Sequence, residues 1–574
     1  MNDFVAYEAL TMFSEVNDLR ELDDPIAFAM KASNDPDTLY YHEAMRTPDR
    51  KNFQEAMVKE VKDHTNRKHW KVILKTQVPE GETILPAVWA MKRKRRIATQ
   101  QVYKWKSRLN LGGHKQLEGK HYDQTYAPAL EWATIRLFLL LSIMKRWHTR
   151  QIDFVLAYPQ APVPRPTFME LPVGINFPNG VNCKEHCLEI LQNIYGGKDS
   201  GRTWYLYLRG KLIDQLGFIP SKFDECVFYR GTTILLVYTD DCILIDKESQ
   251  SNIDNLLKEM QAEFDIEDEG NLEDYLGVHV TRNKDGTILL SQPHLIQSIL
   301  EDLQLIGPHQ KSPPKAKDMP ALTTKLIGSD FQGQPFNFPW DYRSVIGKLN
   351  FLEKSTRPDI AYATHQCARF LANPKKSHGE AVKHIGRNLL GTKDKGLILK
   401  PGTESFECYV DADFMGNWDK TIAAEDPNTA RSRYGFVVKY CEVPLYWQSK
   451  LQTMIALSTA ESEYIGLSHA ARYVKSTIYL LQEINERVTK VITTPTFHCK
   501  LFEDNSAALE IAKVPKMRPR TRHINCVYHH FRQEVSNGII KILPIDTKFQ
   551  QADVLTKAVD LVTFLRHRKS IMGW

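Results

Sequence analysis

The sequence predicts a multidomain protein of the α+β class. At 574 residues the chain is too long for a single hydrophobic core, so we expect two to four domains. Hydrophobic residues make up 42% of the chain and charged residues 25%, a balance typical of globular proteins. Segments with the alternation of strands are interleaved with segments whose apolar residues recur at helical spacing. Strands and helices are therefore expected to pack together in several units.

The net charge and the cysteine content indicate which binding partners and which cellular compartment suit this protein. The net charge of +6 permits a polyanionic partner without requiring one. Nine cysteines without a CxxC pair favour reduced thiols in an intracellular protein. The first residues, MNDFVAYEAL, lack the basic and apolar regions of a signal peptide, so none is expected. The longest apolar run, LFLLLSIM from Leu137, is too short to span a bilayer and predicts a buried helix.

The first half of the chain alternates between helices and strands. NFQEAMVKEV, from Asn52, carries apolar residues at helical intervals. From Val102 apolar and basic residues alternate, which predicts a strand with one cationic face. A leucine-rich helix and the strand QIDFVLAY follow. YGGKDSGRTWYLYLRGKLIDQL then predicts a glycine-rich break and an amphipathic helix.

The second half of the chain contains a predicted linker between two structured parts. A hairpin around Thr239 is followed by the helix NIDNLLKEMQAEF and by two strands joined at the turn Asn283–Gly286. HQKSPPKAKDMPAL, with three prolines, is the predicted linker. A helical stretch begins at Tyr342, and from Phe406 strands alternate with helices.

The stretch ILLVYTDDCILI places two adjacent carboxylates, Asp240 and Asp241, between runs that favour burial. On a strand-turn-strand unit both side chains would lie near one point, where like charges repel by about 1 kcal/mol in water and more near a protein surface. A hard divalent cation relieves this repulsion, and Mg²⁺ usually takes one or two carboxylates plus substrate phosphates. The pair therefore indicates metal-assisted phosphate chemistry, with a solvated hairpin tip as the alternative.

A metal site of this kind needs a third carboxylate from a neighbouring strand. Asp153 is the one acid in the strand-like octet QIDFVLAY, upstream of the Asp-Asp pair. We expect it to lie beside Asp240 and Asp241, although a strand-end or capping aspartate is the alternative for this residue alone.

The order of these motifs resembles a known polymerase family. Asp153 with Ala157-Tyr158, then IYGGKDSGRTWY, then Tyr-Thr-Asp-Asp, is similar to the reverse transcriptase of copia-type LTR retrotransposons. KWKSRLNLGGHKQLEGKHYDQTYAPALEWATIRLFL resembles that family's cationic strand pair and first palm helix, and the segment Tyr342–Leu399 resembles its connecting segment. The resemblance extends over about residues 36–560 and implies a fragment of a Pol polyprotein.

The resemblance assigns roles to residues of the polymerase site. It implies that Asp153, Asp240 and Asp241 hold two Mg²⁺ ions, with Mn²⁺ as a substitute. It places Lys106 and Arg108 at the nucleotide triphosphate, which suits two basic side chains on one face of a strand. It makes Tyr158 a steric gate against the ribose 2′-hydroxyl, and Leu276 and Gly277 part of the primer grip; ordinary core packing is the alternative for Tyr158.

A second quartet of acids follows the connecting segment. Asp411 in YVDADF, Glu461 in LSTAESEY, Asp504 in FEDNSAA and Asp553 in QQADVLTKAV each adjoin apolar residues, in an order that resembles ribonuclease H. By that likeness all four ligate two further metal ions, which activate water against an RNA phosphodiester. Helical spacing puts Glu461 on one stripe with Ile465 and Ser468. Asp413 and Glu463 are the alternatives for the first and second members.

Together the two resemblances imply a palm-fingers-thumb reverse transcriptase, a helical connection and an α/β ribonuclease H-like domain. The expected boundaries are residues 1–60 for an N-terminal helical extension, 61–305 for the reverse transcriptase, 306–403 for the linker and connection, and 404–574 for the ribonuclease H-like domain.

The implied function is RNA-directed and DNA-directed DNA synthesis with linked hydrolysis of the RNA in RNA–DNA hybrids, serving retrotransposon replication. The implied partners are an RNA template, a DNA primer, the hybrid, deoxynucleotides and flanking polyprotein products, with no membrane. Because neither site needs to read base sequence, binding should rest on phosphates and depend strongly on salt. The implied location is the cytoplasm, in a virus-like particle, or the nucleus.

Three departures from the family pattern leave alternatives open. Asp199 stands where the family commonly has glutamine beside the incoming nucleotide, Thr239 where it has valine, and Asn525 where it has aspartate near the nuclease. His523 then either assists product release or packs. A catalytically inactive, nucleic-acid-binding remnant is therefore one alternative. Another is a basic module that uses MKRKRR, from Met91, for nuclear import or RNA attachment rather than as a solvated strand.

Overall fold

The computed structural model describes residues 37–95, 101–178, 180–307, 314–322, 327–488, 498–513, 524 and 526–574. Residues 1–36 of the predicted N-terminal extension, Arg96 of the basic cluster, His523 and Asn525 lie outside the described residues. Within the described ranges, no helix is both long enough and apolar enough to cross a membrane.

Two small sheets at the start of the chain form the part that corresponds to the fingers. Their strands are β1 (Thr38–Tyr40), β2 (Trp70–Leu74), β3 (Ile84–Leu85), β4 (Ala87–Arg95), β5 (Val102–Leu111), β7 (Pro162–Glu170) and β8 (His186–Gln192). One sheet has the order β1-β4-β5, and the other β2-β8-β7-β3. The helix Arg50–Asn66 packs on β5 and buries Phe53 and Met57. Residues 38–66, assigned mostly to a helical extension from the sequence, thus share one core with the cationic strands.

The palm is a six-stranded sheet with helices on both faces. Its further strands are β6 (His148–Phe154), β9 (Ile219–Pro220), β10 (Val227–Arg230), β11 (Thr233–Tyr238), β12 (Asp241–Asp246) and β13 (Ile266–Gly270), in the order β13-β6-β12-β11-β10-β9. The leucine-rich helix Trp132–Lys145, called the palm helix below, covers one face. The helices Ser200–Asp214 and Gln250–Glu263 cover the other. Two-sided burial explains why β11 and β12 are almost continuously apolar rather than alternating.

A hairpin and a group of helices follow the palm. The strands β14 (Asp274–Tyr275), β15 (Val278–Arg282) and β16 (Ile288–Ser291) pair in sequence order, and β17 (Leu397–Leu399) extends their sheet. The turn predicted at Asn283–Gly286 joins β15 to β16. The helices of this region share one core and are Pro293–Asp302, Tyr342–Ser355, Ala361–Ala368 and Lys376–Gly391.

The last part of the chain forms a five-stranded mixed sheet. Its strands are β18 (Phe406–Asp413), β19 (Arg433–Tyr440), β20 (Val443–Leu451), β21 (Cys499–Glu503) and β22 (Ile540–Pro544), in the order β20-β19-β18-β21-β22. β18 is antiparallel to β19 and parallel to β21, which is parallel to β22. Its helices are Thr459–Arg487, Ser506–Lys513, Arg532–Ser536, Asp553–Thr556 and Leu561–Met572. This topology is that of a ribonuclease H-like domain, so the predicted α+β multidomain fold is confirmed.

A buried arginine joins the palm to the last sheet. Arg136 on the palm helix is almost fully buried, and its guanidinium donates to the carbonyls of Leu445, Lys354 and Ser355. It also lies 4.0 Å from the centre of the Trp447 ring. The same hydrophobic cluster runs from the palm helix into the ribonuclease H-like sheet. The boundaries at residues 305 and 403 stay predictions, because this core is continuous across parts that the sequence separates.

Candidate active sites

The first candidate site lies at the turn between β11 and β12. Thr239 adopts a left-handed conformation with φ of 54°, and the indole of Trp204 donates a 2.8 Å hydrogen bond to its carbonyl. The amide of Phe154 donates to the carbonyl of Asp240 at 3.0 Å. This bond fixes the turn against β6, where Asp153 lies directly opposite Asp241. The three carboxylates predicted from the sequence are therefore brought to one end of the central strands.

Burial and mutual repulsion disfavour the charged forms of these acids. Burial, followed by the charges of neighbouring acids, raises the pKa of Asp153 and of Asp240 to about 7. Burial raises the pKa of Asp241 to about 6. The Oδ1 atom of Asp240 is buried and has no hydrogen-bond partner among the residues that the structure describes. A carboxylate oxygen desolvated without a donor fits a site for a divalent cation, whose charge would restore the ionised form.

Two further acids near Asp153 were not predicted. Glu267 on β13 lies directly opposite Asp153 on the side away from Asp241. The charges of Glu269 and Glu267 contribute, after burial and Asp241, to the raised pKa of Asp153. No signal in the sequence separates these two from the other acids of FDIEDEG, because the pairing partner of β13 is not encoded locally.

The predicted triphosphate-binding residues lie on β5 and interact electrostatically with the acids. Lys106 and Arg108 are two residues apart on one strand, so their side chains leave the same face. The Arg108 guanidinium lies 3.9 Å from the centre of the Tyr195 ring. Its charge lowers the pKa of Asp240, and that of Lys106 lowers the pKa of Asp153, in both cases against the larger effect of burial. The positive charges thus lie within electrostatic reach of the carboxylates.

A cavity of about 570 Å³ adjoins the turn. Tyr158, Gly201, Trp204 and Thr239 are among its lining residues. Tyr158 is largely buried, and its ring centre lies 5.1 Å from that of Tyr195. A Cβ atom added at Gly201 would lie 3.3 Å from the Tyr158 hydroxyl, so glycine allows this close approach. The predicted steric-gate residue therefore borders a space large enough for part of a nucleotide.

The predicted primer-grip residues form the turn between β14 and β15. Leu276 and Gly277 have φ of 49° and 74°, and Gly277 faces the Phe351 ring. The preceding residue, Tyr275, donates from its hydroxyl to the carbonyl of Asp241 at 3.2 Å. Tyr275 therefore ties this hairpin to the strand of the acids, a link that the sequence did not predict.

Asp199, which stands where the family pattern commonly has glutamine, lies just before the helix Ser200–Asp214. It lines a small cavity together with Gln116, His121 and Arg165. That cavity shares no lining residue with the one beside Thr239. Burial raises the pKa of Asp199, and Arg165 opposes the shift.

The second candidate site is a group of three acids in the ribonuclease H-like sheet. Each of Asp411, Glu463 and Asp504 offers a carboxylate oxygen, and these oxygens lie within 4.8 Å of one another. Among the described residues this is the one acidic or metal-ligating group that meets this limit. The three palm acids do not meet this limit among the described residues.

The structure favours Glu463, the predicted alternative, over Glu461 as the second ligand, and the assignment itself stays a prediction. Glu461 occupies the first turn of its helix, where Ser458 is the N-cap and accepts from the Glu461 amide. The Glu461 carboxylate turns back and accepts from the Leu457 amide at 2.7 Å. A capping carboxylate is directed at the backbone, whereas Glu463 is directed at Asp411 and Asp504. The sequence Ser-Thr-Ala-Glu is a capping-box signature that could have identified this role.

The remaining predicted ligand, Asp553, is paired with a lysine. The Lys557 ammonium lies 3.0 Å from Oδ1 of Asp553 and 3.6 Å from Oδ2 of Asp411. The Thr556 hydroxyl also donates to the Asp411 carboxylate. Asp413, the predicted alternative to Asp411, ends β18 opposite Arg433 and is not one of the three grouped acids.

At the second site, as at the first, burial and neighbouring charges raise the pKa values of the acids. Burial raises the pKa of Asp411, and burial together with the Glu503 charge raises that of Glu463. Burial and the Asp411 charge raise the pKa of Asp553 to about 7. Glu503, which precedes Asp504, is fully buried and was not predicted. Within the described part of the chain, the Oε2 atoms of Glu463 and Glu503 have no hydrogen-bond partner, so this donor set also fits a divalent cation.

The fold and the two acid clusters define a polymerase-type palm joined to a ribonuclease H-like domain. Residues 67–317 match the family model for reverse transcriptase (RNA-dependent DNA polymerase). The retrovirus-related Pol polyprotein from transposon RE1 of Arabidopsis thaliana is 29% identical over 547 residues, covering 94% of this chain and 34% of that protein. The one from transposon TNT 1-94 of Nicotiana tabacum is 28% identical over 534 residues, covering 92% and 38%.

The similarity to copia-type Pol polyproteins that was predicted from the sequence is thereby confirmed. The chain spans about a third of the length of these relatives. A solved structure of the foamy viral protease-reverse transcriptase in complex with double-stranded DNA covers 86% of this chain and 69% of its own, with 10% identity. The TM-score of this comparison is 0.42.

Proposed function

We propose that this chain is an RNA-directed and DNA-directed DNA polymerase that also hydrolyses the RNA strand of RNA–DNA hybrids, each site working with two Mg²⁺ ions. The observation that carries the proposal is the register that places Asp153 opposite Asp241, beside the Asp240 turn. The match of residues 67–317 to the family model for reverse transcriptase supports the polymerase activity. The group Asp411, Glu463 and Asp504 in a ribonuclease H-like sheet supports the nuclease activity.

At the polymerase site, Asp153, Asp240 and Asp241 would hold the metal. Bound Mg²⁺ supplies the positive charge that lowers the pKa of the primer 3′-hydroxyl and neutralises the pyrophosphate leaving group. Lys106 and Arg108 bind the triphosphate from β5 through charge and hydrogen bonds. Tyr158 and the cavity beside it position the sugar and exclude a 2′-hydroxyl.

At the nuclease site, Asp411, Glu463, Asp504 and Asp553 are the residues that would bind the metal. The proposed substrates are an RNA template, a DNA primer, the hybrid and deoxynucleotides, and flanking polyprotein products are proposed partners. Similarity to transposon Pol polyproteins supports a role in retrotransposon replication, with the cytoplasm as the proposed location, in virus-like particles, and the nucleus as the alternative.

Primer extension on an RNA template in Mg²⁺ tests the polymerase proposal. Asp240→Asn removes one carboxylate charge and should reduce synthesis by orders of magnitude while hybrid binding persists. Glu225→Gln, an exposed acid of the same palm, is the matched control and should extend normally. Equal extension by the unaltered chain and Asp240→Asn would exclude Asp240 from the mechanism. Binding without any extension by the unaltered chain would instead favour the inactive remnant.

A further inference from the structure

The hairpin of β14 and β15 packs on the face of the palm sheet that carries the acids. Side chains two residues apart on a strand leave the same face, so Gln151 shares the face of Asp153 on β6. By the same alternation Ile243 shares the face of Asp241 on β12, and it lies directly opposite Gln151. Ile243 belongs to the same hydrophobic cluster as Tyr275 of the hairpin. The hairpin therefore covers the sheet directly beside the acids.

Two buried side chains connect this hairpin to the strands of the acids. Tyr275 and Gln151 are both almost fully buried. The Tyr275 hydroxyl donates to the carbonyl of Asp241 at 3.2 Å, so one bond runs from the hairpin to β12. The Gln151 side-chain amide donates to the carbonyl of Asp274 at 3.0 Å, so a second bond runs from β6 to the hairpin. The hairpin is thus bonded to both of the strands that carry Asp153 and Asp241.

The Gln151 amide also holds an acid next to the site. It donates to the carboxylate of Glu269 at 3.1 Å, at the point where the pairing of β13 with β6 is irregular. An amide nitrogen carries two hydrogens, so these two bonds use both of them. Further along β6, the Arg282 guanidinium donates to the Thr149 hydroxyl at 2.8 Å. Three side chains therefore fix the hairpin along β6 and β12.

The turn that follows Tyr275 has a constrained backbone. Leu276 and Gly277, the predicted primer-grip residues, both have positive φ angles, of 49° and 74°. A left-handed conformation is uncommon for leucine, so the surrounding contacts must hold it. Leu276 is buried in the same cluster as Tyr275. Because Tyr275 directly precedes this turn, a change in its position moves the turn as well.

We infer that Tyr275 and Gln151 are positioning residues of the proposed polymerase site. They hold the Leu276–Gly277 turn in a fixed position relative to Asp153 and Asp241, and the turn then places the 3′ end of a primer strand at these acids. The inference rests on the proposed polymerase function. Both side chains act through the backbone that they hold, and neither touches the reacting atoms. A displacement of about 1 Å in a reacting group can lower a rate about 100-fold, so losing either bond should slow nucleotide addition.

Single-turnover primer extension on an RNA template by the full chain tests this role. Tyr275→Phe keeps the ring and loses the hydroxyl, and it should lower the maximal extension rate by about 10- to 100-fold. The apparent affinities for deoxynucleotide and for primer–template should stay within about twofold, because the basic residues of β5 and the rest of the interface are unaltered. Gln151→Met keeps the size and loses the amide, and it should give the same pattern. Tyr409→Phe, which removes a 3.0 Å hydroxyl bond to Glu407 in the last sheet, is the matched control and should extend normally.

A photoreactive primer provides a measurement that does not need catalysis. A primer that ends in thiothymidine is annealed to its template, bound to the full chain and irradiated, and the crosslinked peptide is identified by mass spectrometry. In the unaltered chain the primer terminus should crosslink to the peptide that contains Leu276 and Gly277. Tyr275→Phe and Gln151→Met should lower the share of crosslinks at this peptide, whereas Tyr409→Phe should not.

The outcomes separate this inference from the proposed function. If the unaltered chain extends primers and both variants extend at the same rate, the polymerase function stands and the positioning role is overturned. A primer terminus that crosslinks elsewhere, or a crosslink share that neither variant changes, also overturns it. So does a variant that loses primer–template binding together with a large fall in melting temperature, because the residue would then be purely structural. If the unaltered chain forms the expected crosslink, sensitive to both variants, but extends no primer, the positioning role stands and the proposed function fails.

Discussion

Asp241 lies directly opposite Asp153 in two neighbouring antiparallel strands of the palm. The pairing depends on strand register, because a shift by one residue would direct one of the two side chains to the opposite face of the sheet. The bond from the Phe154 amide to the Asp240 carbonyl joins β6 to the turn in that register, and the bond from Trp204 to the Thr239 carbonyl holds the turn itself. The catalytic proposal therefore rests on backbone contacts as much as on the acids themselves.

Two substitutions distinguish Glu463 from Glu461 as the second metal ligand of the nuclease site. Glu463→Gln removes a charge from the three-acid group and should reduce hybrid cleavage by at least about 100-fold, since outer-sphere partners of a metal alone account for 10–100-fold. Glu461→Gln keeps a side-chain acceptor for the capping bond from the Leu457 amide and should cleave normally. Cleavage is measured on an end-labelled RNA–DNA hybrid. The reverse pattern would restore Glu461 as the ligand.

Nucleotide selection should depend on the ring of Tyr158. Tyr158→Ala removes the ring from the cavity beside Thr239 and should raise the use of ribonucleotides relative to deoxynucleotides by about 10- to 100-fold, the range that steric discrimination in a pocket provides. Tyr158→Phe retains the ring and is the control. The ratio of kcat/KM for the two nucleotide types is the measurement. An unchanged ratio in Tyr158→Ala would mean that the tyrosine only packs.

The raised pKa values predict how stability changes with pH in the absence of metal. Asp153 and Asp240, with pKa values of about 7, retain protons in the folded chain that the unfolded chain has lost. The free energy of unfolding should therefore decrease as pH rises from about 4 to 7. The asparagine in Asp240→Asn has no carboxyl proton that titrates, so the free energy of unfolding of this variant should decrease less with pH. The control Glu225→Gln should show the same decrease as the unaltered chain.

Thermal unfolding in EDTA at several pH values measures this dependence. Above pH 7, adding Mg²⁺ should raise the melting temperature of the unaltered chain, because a ligand that binds only the folded state stabilises it. The increase should be smaller for Asp240→Asn. Parallel pH curves for the two proteins in EDTA would contradict the assignment of a raised pKa to Asp240.

The buried Arg136 should contribute strongly to the junction between the palm and the ribonuclease H-like sheet. Arg136→Met leaves the carbonyls of Leu445 and Ser355 without their donor and should lower the free energy of unfolding by about 3 kcal/mol or more. Urea unfolding measures the change, and limited proteolysis shows whether the two parts separate. Arg566→Met, at an exposed arginine, should be close to neutral. A neutral Arg136→Met would show that the junction does not depend on this residue.

Much of the fold could be predicted because its patterns are local. The apolar runs around Thr239 predicted a hairpin, and the turn at Asn283–Gly286 followed from its residues alone. The leucine-rich run from Leu137 predicted a buried helix, which the structure places between the palm sheet and the last sheet. Each of these features is encoded within a few neighbouring residues.

Features that depend on distant pairing could not be predicted in the same way. Glu267 becomes a neighbour of Asp153 only because β13 pairs with β6, and Tyr275 reaches Asp241 only through the packing of its hairpin. The sequence around Arg136 does not predict its hydrogen-bond partners, which come from two other parts of the chain. The capping role of Glu461 is different, because the signature Ser-Thr-Ala-Glu that indicates it was present in the sequence.

We propose that acids far apart in the chain converge as two separate metal-binding clusters, and iron-directed cleavage of the backbone can test this convergence. Fe²⁺ in place of Mg²⁺, with ascorbate and peroxide, cuts the backbone close to wherever the ion binds. We expect cuts near both Asp153 and Asp240, and separately near Asp411, Glu463 and Asp504, with the first set lost in a chain carrying Asp240→Asn and Asp241→Asn. Cuts near Asp240 without matching cuts near Asp153 would contradict the claim.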